Sequence, residues 1–269
     1  MKHSANVRVI VFSALAAVLI FTALFAAYLC PYDANAQNLN MALQAPSGEH
    51  LMGTDRYGRD MFSRVIMGSQ VSIFATLSLV AIICTVGTSI GVYCGYCGGK
   101  IDEFLMRFSD ICLAFPGLVF ALAVAAVLNG GVQNAVLALA AISWPKYARI
   151  ARSQTLSLSQ QNFILASKMA GSSSFQIIHR HILPNMMGTV IVTAVLDIGT
   201  MMMEIAALSF LGLGAKPPTA EWGSMMSVGR SMLQTYPWVV FSPGIAIFIT
   251  VTIFNLWGDA LRDYLNPKL

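Results

Sequence analysis

The strongest constraint on this chain is a long stretch, from Gln70 to Gly99, that contains no Asp, Glu, Lys or Arg. About 20 mainly apolar residues are enough for a helix to cross the roughly 30 Å hydrocarbon layer of a bilayer. Inside a bilayer each segment must satisfy its own backbone hydrogen bonds, so such stretches are interpreted as helices. Only 10% of the 269 residues are charged, against roughly 25% in soluble domains. The sequence therefore predicts a membrane protein.

Six charge-poor segments predict six membrane-spanning helices. They cover Val9–Leu29, Ser72–Tyr93, Phe108–Leu128, Val132–Ala151, Met186–Phe210 and Val239–Leu256. The expected fold class is all-α, a polytopic membrane protein with about six transmembrane helices and a cytoplasmic loop. We expect an N-terminal membrane helix with an extracytoplasmic connection over residues 1–71, and a core of five membrane helices over residues 72–269. The first segment is longer than the roughly 7–15 apolar residues of a signal peptide, so we expect it to be retained.

The positions of the positive charges predict the orientation of the chain. Lysine and arginine are enriched in cytoplasmic loops of membrane proteins. Around the connection between the fourth and fifth helices there is no Asp or Glu, and the charged residues are Lys146, Arg149, Arg152, Lys168 and Arg180. We therefore expect this connection in the cytoplasm. Six helices then place both termini in the cytoplasm, in agreement with Lys2 and Arg8.

The cytoplasmic connection has a pattern of its own, FILASKMAGSSSFQIIHRHILPN over Phe163–Asn185. Apolar residues on both sides of Gly171 predict two short amphipathic helices joined at this glycine. Glycine suits a helix C-terminus, where a left-handed backbone is common, and Pro184 suits the first turn of the next membrane helix. Such a helix pair either lies on the lipid surface or inserts into a groove of another protein, and the pattern leaves both open.

The spacing from Ala166 through Gly171 to Pro184 resembles the cytoplasmic coupling loop of ABC importer permeases. That loop usually begins Glu-Ala-Ala, with a glycine after three further residues, and Leu165-Ala166-Ser167 departs from it at the glutamate and the second alanine. The resemblance implies that the loop couples this chain to a separate ATPase. The candidate coupling residues are Ala166, Ser167, Gly171, His181, Leu183 and Pro184.

Further motifs narrow the resemblance. They are Gly53–Asp60 followed by Ser63-Arg64, Asp110–Pro116, Ser209–Gly214, Pro218–Gly223 and Phe254–Asp263. Together they resemble the second, shorter permease of the dipeptide, oligopeptide and nickel importers. The resemblance implies a homologous permease subunit, two ATPase subunits that hold ATP and Mg, an extracytoplasmic substrate-binding protein, and the lipid of a prokaryotic plasma (inner) membrane. Within the first motif, Asp60 and Arg64 have the spacing of a helical ion pair.

The chain itself lacks the motifs of an ATPase. Gly98-Gly99-Lys100-Ile101 has neither the earlier glycine nor the Ser or Thr of a Walker phosphate loop. We find no Ser/His/Asp grouping and no HExxH motif. The sequence predicts a transport subunit without catalytic residues, without a cofactor of its own and without a nucleic-acid partner. Two other functions stay open: an ion-coupled secondary transporter and a non-transport membrane scaffold.

The fifth predicted helix carries the candidate residues of a translocation path. They are Asp197, Thr200, Met201 and Glu204. Their spacing places them on one side of a helix, and carboxylates inside a membrane are costly and usually face a cavity or a partner. We predict that they line a path for cationic or zwitterionic cargo. The alternatives are that the acids pair structurally with the other permease or lie near the helix ends.

The identity of the cargo is less constrained. Asp197–Met202 resembles the nickel branch more than the peptide branch, and Met201–Met203 offer soft thioether sulfur. The histidines expected around this stretch in nickel permeases are replaced by Thr200 and Glu204. We favour nickel or a chelated metal, with a short peptide as the alternative, and assign no metal ligand. Cys94-Gly95-Tyr96-Cys97 has no second cysteine pair nearby, so we interpret both cysteines as packing residues.

Overall fold

The structure is a computed structural model that describes the backbone of residues 2–265 and the side chains of residues 6–265. Over these residues the chain forms helices and no β-strand, as predicted. The helices are α1 (Lys2–Leu24), α2 (Ala26–Leu29), α3 (Met61–Cys97), α4 (Gly99–Ala114), α5 (Gly117–Val127), α6 (Val132–Ser159), α7 (Asn162–Met169), α8 (Ser174–Ile177), α9 (Leu183–Phe210), α10 (Trp222–Gly229) and α11 (Trp238–Leu265). The side chain of Lys2, which supported the predicted orientation, lies outside the described residues.

The long helices correspond to the six predicted spans. Four stretches are long and apolar enough to cross a membrane: Asn6–Leu24, Met61–Cys97, Ser174–Phe210 and Trp238–Leu265. The pair α4 and α5 makes a fifth if it is counted as one bent span. The remaining helix, α6, has 28 residues, or about 42 Å at 1.5 Å per residue. It has the length of a span but carries three cations, Lys146, Arg149 and Arg152.

The third predicted helix is not continuous. The chain bends by 91° between α4 and α5. Pro116 has no N–H to donate, and its ring disfavours helical backbone at the preceding residue. Phe115 accordingly adopts an extended conformation, with φ −87° and ψ 143°. The predicted third helix, Phe108–Leu128, is therefore divided into two at Pro116, and its first half begins earlier, at Gly99.

The second predicted helix begins well before Ser72, because Asp60 caps it at Met61. The Asp60 carboxylate accepts hydrogen bonds from the Ser63 N–H and hydroxyl, both at 2.7 Å, which satisfies a donor at the helix start. His50 Nδ1 lies 2.9 Å from the other Asp60 oxygen. The predicted division between residues 71 and 72 falls inside α3.

Arg64 pairs with a different acid from the one suggested by its spacing. Its Nη1 donates to the Ala34 carbonyl at 2.8 Å, and its Nε lies 3.7 Å from Asp55 Oδ2. The predicted Asp60–Arg64 side-chain pair is wrong, because the Asp60 carboxylate is occupied by the helix cap. The loop before α3 turns at Gly53 and Gly58, with φ of 71° and 68°, values that glycine adopts without strain.

A close contact between α3 and α6 forms the centre of the bundle. Gly87, Gly91 and Gly95 recur every four residues along α3 and face the α6 backbone. A Cβ at Gly91 would overlap the carbonyl oxygen of Ala148. Small residues at this spacing let two membrane helices approach closely and gain van der Waals contact. The pattern is visible in the sequence, but it was not recognised there.

The two ends of the described chain lie together. Arg8 Nη1 is 3.7 Å from Asp263 Oδ2, which joins the start of α1 to the end of α11. The start of α1 and the end of α11 are therefore at the same end of the bundle. That this end faces the cytoplasm stays a prediction.

We expect Gly91→Ala to destabilise the protein by about 1–3 kcal/mol, the usual cost of forcing an extra methyl group into a packed site. Gly188→Ala is the matched control, because the nearest atom to its added Cβ is Leu265 Cδ1 at 4.0 Å. The fraction of monodisperse protein that survives heating in detergent measures the difference. Equal melting temperatures for the two variants would contradict the close α3–α6 contact.

Candidate functional site

The candidate coupling loop is a helix pair, as the sequence predicted. α7 ends at Met169, and Gly171 follows it two residues later with φ 82°. The Gly171 N–H donates to the Lys168 carbonyl at 3.0 Å, and the Ser172 N–H donates to the Ser167 carbonyl at 3.1 Å. This is the Schellman arrangement, which satisfies the last carbonyls of a helix and favours glycine at the left-handed position. The hydroxyls of Ser167 and Ser172 lie 2.9 Å apart and close the same turn.

The second helix of the pair continues directly into the membrane. Ser173 and Gln176 form a capping box at the start of α8. A π-helical turn over Ile178–Ile182 then joins α8 to α9, and Pro184 stands in the first turn of α9, as predicted. The π turn lies directly before Pro184, which has no N–H to donate to a helical hydrogen bond. The result is one helical stretch from Ser174 to Phe210.

Three isoleucines fix this loop to the rest of the bundle. Ile164, Ile177 and Ile182 have at most 1% of their surface exposed and belong to the main hydrophobic core. Other apolar residues of the loop point outward instead: Met169 is 90% exposed and Phe175 is 70% exposed. The predicted apolar stripe is thus divided between an inner side that anchors the loop and an outer side that is free in this chain.

The six candidate coupling residues differ in exposure. Ala166, Gly171 and Pro184 are exposed, whereas Ser167, His181 and Leu183 are half-buried. The His181 ring lies 6.1 Å from the Phe163 ring and connects the π turn to α7. The basic residues Lys168 and Arg180 are exposed on the same loop.

Within the membrane, Asp197 is buried and paired inside this chain. Lys146 Nζ lies 2.5 Å from Asp197 Oδ1, joining α6 to α9. The aspartate side chain is 5% exposed and the lysine side chain is 51% exposed. The sequence had suggested a path residue, a contact with the other permease or a position near the helix ends. The partner is instead a lysine 51 residues earlier in the same chain.

The other cations of α6 are paired as well. Arg152 donates through Nε and Nη2 to the Asp102 carboxylate at 2.6 and 2.7 Å, and Arg149 pairs with Asp110. Both acids lie on α4. The sequence had placed these cations around a loop, but α6 continues to Ser159, so they are helical. Pairing explains how a spanning helix tolerates three charges, because unpaired charge in a membrane is costly.

Only part of the predicted path faces outward. Thr200 is exposed and Glu204 is half-buried, whereas Asp197 and Met201 are buried. A longer polar face runs along the exposed or half-exposed side of α9. It consists of Asn185, Thr189, Thr193, Thr200 and Glu204. The sequence signal for this face is polar residues at helical spacing, which the prediction from the carboxylates did not include.

The chain is similar in sequence to known transport permeases. Residues 87–269 match the family described as binding-protein-dependent transport system inner membrane component. The glutathione transport system permease protein GsiD of Escherichia coli is 44% identical over 256 residues, covering 94% of this chain and 84% of that protein. The dipeptide transport system permease protein DppC of Alkalihalophilus pseudofirmus is 42% identical over 250 residues, covering 93% and 82%.

A solved structure has a similar fold. It is an inward-facing conformation of the MetNI methionine ABC transporter. The TM-score is 0.62 at 17% sequence identity, and the match covers 77% of this chain and 98% of the other. This likeness supports an arrangement of helices shared with a transporter.

Removing Lys146 is expected to destabilise the protein more than removing its partner Asp197. Lys146→Met leaves a buried carboxylate without its cation, which typically costs about 3–5 kcal/mol. Asp197→Asn leaves a half-exposed ammonium group that can turn toward water, so we expect a smaller loss. The double variant is expected to recover most of the stability. Thermal unfolding in detergent compares these variants with the wild type.

The exposed pair Arg107–Glu103 supplies the control. Both side chains are more than half exposed, and such pairs contribute about 0–1 kcal/mol. Glu103→Gln should leave the melting temperature nearly unchanged. Equal losses from the two single variants at Lys146 and Asp197, without recovery in the double variant, would contradict the assigned pair.

Proposed function

Because this chain belongs to the family of binding-protein-dependent transport system inner membrane components, we propose that it forms half of the translocation path of an ATP-driven importer. The other half is a second, homologous permease. Two separate ATPase subunits bind ATP and Mg, and an extracytoplasmic binding protein delivers the cargo. The family does not favour the two open alternatives, an ion-coupled secondary transporter and a scaffold. The chain has no ATPase site of its own.

The proposal rests on the two-sided coupling loop. Its inner side is buried through Ile164, Ile177 and Ile182, while Met169 and Phe175 stay exposed. Covering exposed apolar surface yields roughly 25 cal/mol per Å², so a groove on a partner stabilises this surface. The loop has basic residues and no acidic ones between residues 160 and 185. The partner's groove is therefore expected to be apolar with an acidic rim.

The helical stretch from Ser174 to Phe210 converts docking into movement. A force on α8 acts on α9 without an intervening flexible loop, because the π turn keeps the backbone helical. We propose that closure of the ATPases shifts the loop and tilts α9 as a rigid element. Packed helices of this kind move by hinge or shear motions that alternate access between two sides.

We assign the path to the polar face of α9 rather than to all four predicted residues. Thr200 and Glu204 belong to it, and Asp197 and Met201 lie behind it in the core. A polar helix face is unfavourable against lipid and suits a water-filled cavity shared with a second permease. In this assignment Asp197 holds α6 against α9 through Lys146.

For the cargo we propose a short peptide or a peptide-like molecule such as glutathione. Two relatives that are more than 40% identical bear the names of a glutathione and a dipeptide permease. Of the three methionines that offered thioether sulfur, Met201 and Met202 are only 7% and 2% exposed, whereas Met203 is 54% exposed. The predicted preference for nickel or a chelated metal has no finding in its favour. We place the protein in the plasma (inner) membrane, with the coupling loop and both termini in the cytoplasm.

Phe175→Asp and Met169→Asp are expected to reduce the amount of ATPase that copurifies with the permease pair by about tenfold, the loss that follows from roughly 1.4 kcal/mol of contact. Leu39→Asp is the matched control, because Leu39 is also 70% exposed but lies on the opposite, outer loop. Quantitative copurification from detergent measures the ratio of ATPase to permease. A full complement of ATPase in all three variants would refute the docking role of the loop.

Glu204→Gln is expected to lower uptake of a zwitterionic peptide by about tenfold, because a hydrogen bond to a charged group contributes roughly 1.5–3 kcal/mol. Uptake of the same peptide with an acetylated amino terminus should change less. Radiolabelled uptake into proteoliposomes containing the whole importer separates the two. Equal effects on both peptides, at normal assembly, would exclude a contact between Glu204 and the cargo's amino group.

A further inference from the structure

A cationic cavity lies at the outer end of the chain, opposite the coupling loop. It is lined by the loop before α3, by the segment between α9 and α10, and by residues of α3, α9, α10 and α11. Its charged lining residues are Asp55, Arg56, Arg59, Arg64 and Lys216. Four of these five side chains are positive, so the cavity has a large excess of positive charge.

The single acid of this cavity is already fully used. Asp55 Oδ2 accepts from Arg59 Nε at 2.7 Å and lies 2.6 Å from Arg59 Nη2. Asp55 Oδ1 accepts from the backbone N–H groups of Tyr57 and Arg59. The same carboxylate is the nearest acid to Arg64, at 3.7 Å.

Arg59 and Arg64 are buried, with 5% and 4% of their surface exposed. Two buried guanidinium groups thus share one carboxylate. Carbonyl groups satisfy donors of Arg64, but a carbonyl does not neutralise its charge. Buried charge that lacks a counter-charge is costly, and an additional anion would compensate it.

Two exposed cations stand at the mouth of the cavity. Arg56 donates from Nη2 to the Tyr57 hydroxyl at 2.8 Å, and Arg56 and Arg59 each lie 4.7 Å from the Tyr57 ring centre. Stacking on an aromatic ring holds a guanidinium in place. Lys216 is exposed and has no salt bridge among residues 6–265.

We propose that this cavity receives an acidic side chain of the extracytoplasmic binding protein when that protein docks. The proposal rests on the importer function proposed above and adds a docking residue type to it. The cavity lies outside the polar face of α9, so cargo held there would be off the proposed path. Positive charge at an exposed mouth also steers an oppositely charged protein surface toward its site.

The test uses the whole importer in proteoliposomes and the purified, cargo-loaded binding protein. The ATPase rate is measured against the concentration of binding protein, at low salt and at about 0.3 M salt, where screening is strong. We expect R56E/K216E to raise the half-saturating concentration by roughly tenfold at low salt. The difference should shrink at high salt. The neutral variant R56Q/K216Q should raise the half-saturating concentration by an intermediate amount. It keeps the site testable if charge reversal impairs assembly of the importer.

Arg230→Glu is the matched control, because Arg230 is an exposed cation on the same outer side that does not line the cavity. An unchanged half-saturating concentration in both double variants would overturn the docking site. A fall in uptake of a peptide with a free carboxylate, but not of its amide, at unchanged binding-protein affinity would assign the cavity to cargo and also overturn it. Failure of the binding protein to stimulate the wild-type importer would instead overturn the proposed function, and this inference with it.

Discussion

The burial of Ile164, Ile177 and Ile182 is the interaction on which the functional account depends. These side chains attach a water-exposed helix pair to the same core that holds the membrane helices. Without them, movement of α7 would be absorbed by the chain around Gly171 and would not reach α8 and α9. The glycine allows a sharp reversal between α7 and α8, and the isoleucines keep that reversal in a fixed position. Rigidity of the loop therefore comes from packing and not from its short helices alone.

The charges of α6 are paired in this structure: each cation of α6 forms an ion pair with an acid on a neighbouring helix. The pairs join α6 to α4 and to α9, while the glycines of α3 bring α3 and α6 together. α6 thus contacts α3, α4, α5 and α9. The helix that looks least like a span by hydropathy holds the bundle together. The outer cavity departs from this pattern of pairing, since its cations outnumber its acids, and that is where a partner's charge fits.

Local features of the structure followed from the sequence, and long-range pairings did not. Gly171 marked the turn of the coupling loop, because a left-handed residue at a helix end favours glycine. Charge-poor stretches marked the long helices. The Lys146–Asp197 pair joins residues 51 positions apart, and no local pattern reveals which acid meets which lysine. The bend at Pro116 was visible as a proline, but neither its 91° angle nor the packing of α5 against α6 follows from the local sequence.

The central claim is that the exposed side of the coupling loop contacts an ATPase and not lipid. A photo-crosslinking amino acid at Met169, 90% exposed in this chain, tests it most directly in the assembled importer. We expect a covalent adduct with the ATPase subunit on illumination, and none when the same amino acid replaces Leu39 on the outer loop. Crosslinking of position 169 to lipid alone, in an importer that retains its ATPases, would contradict the account.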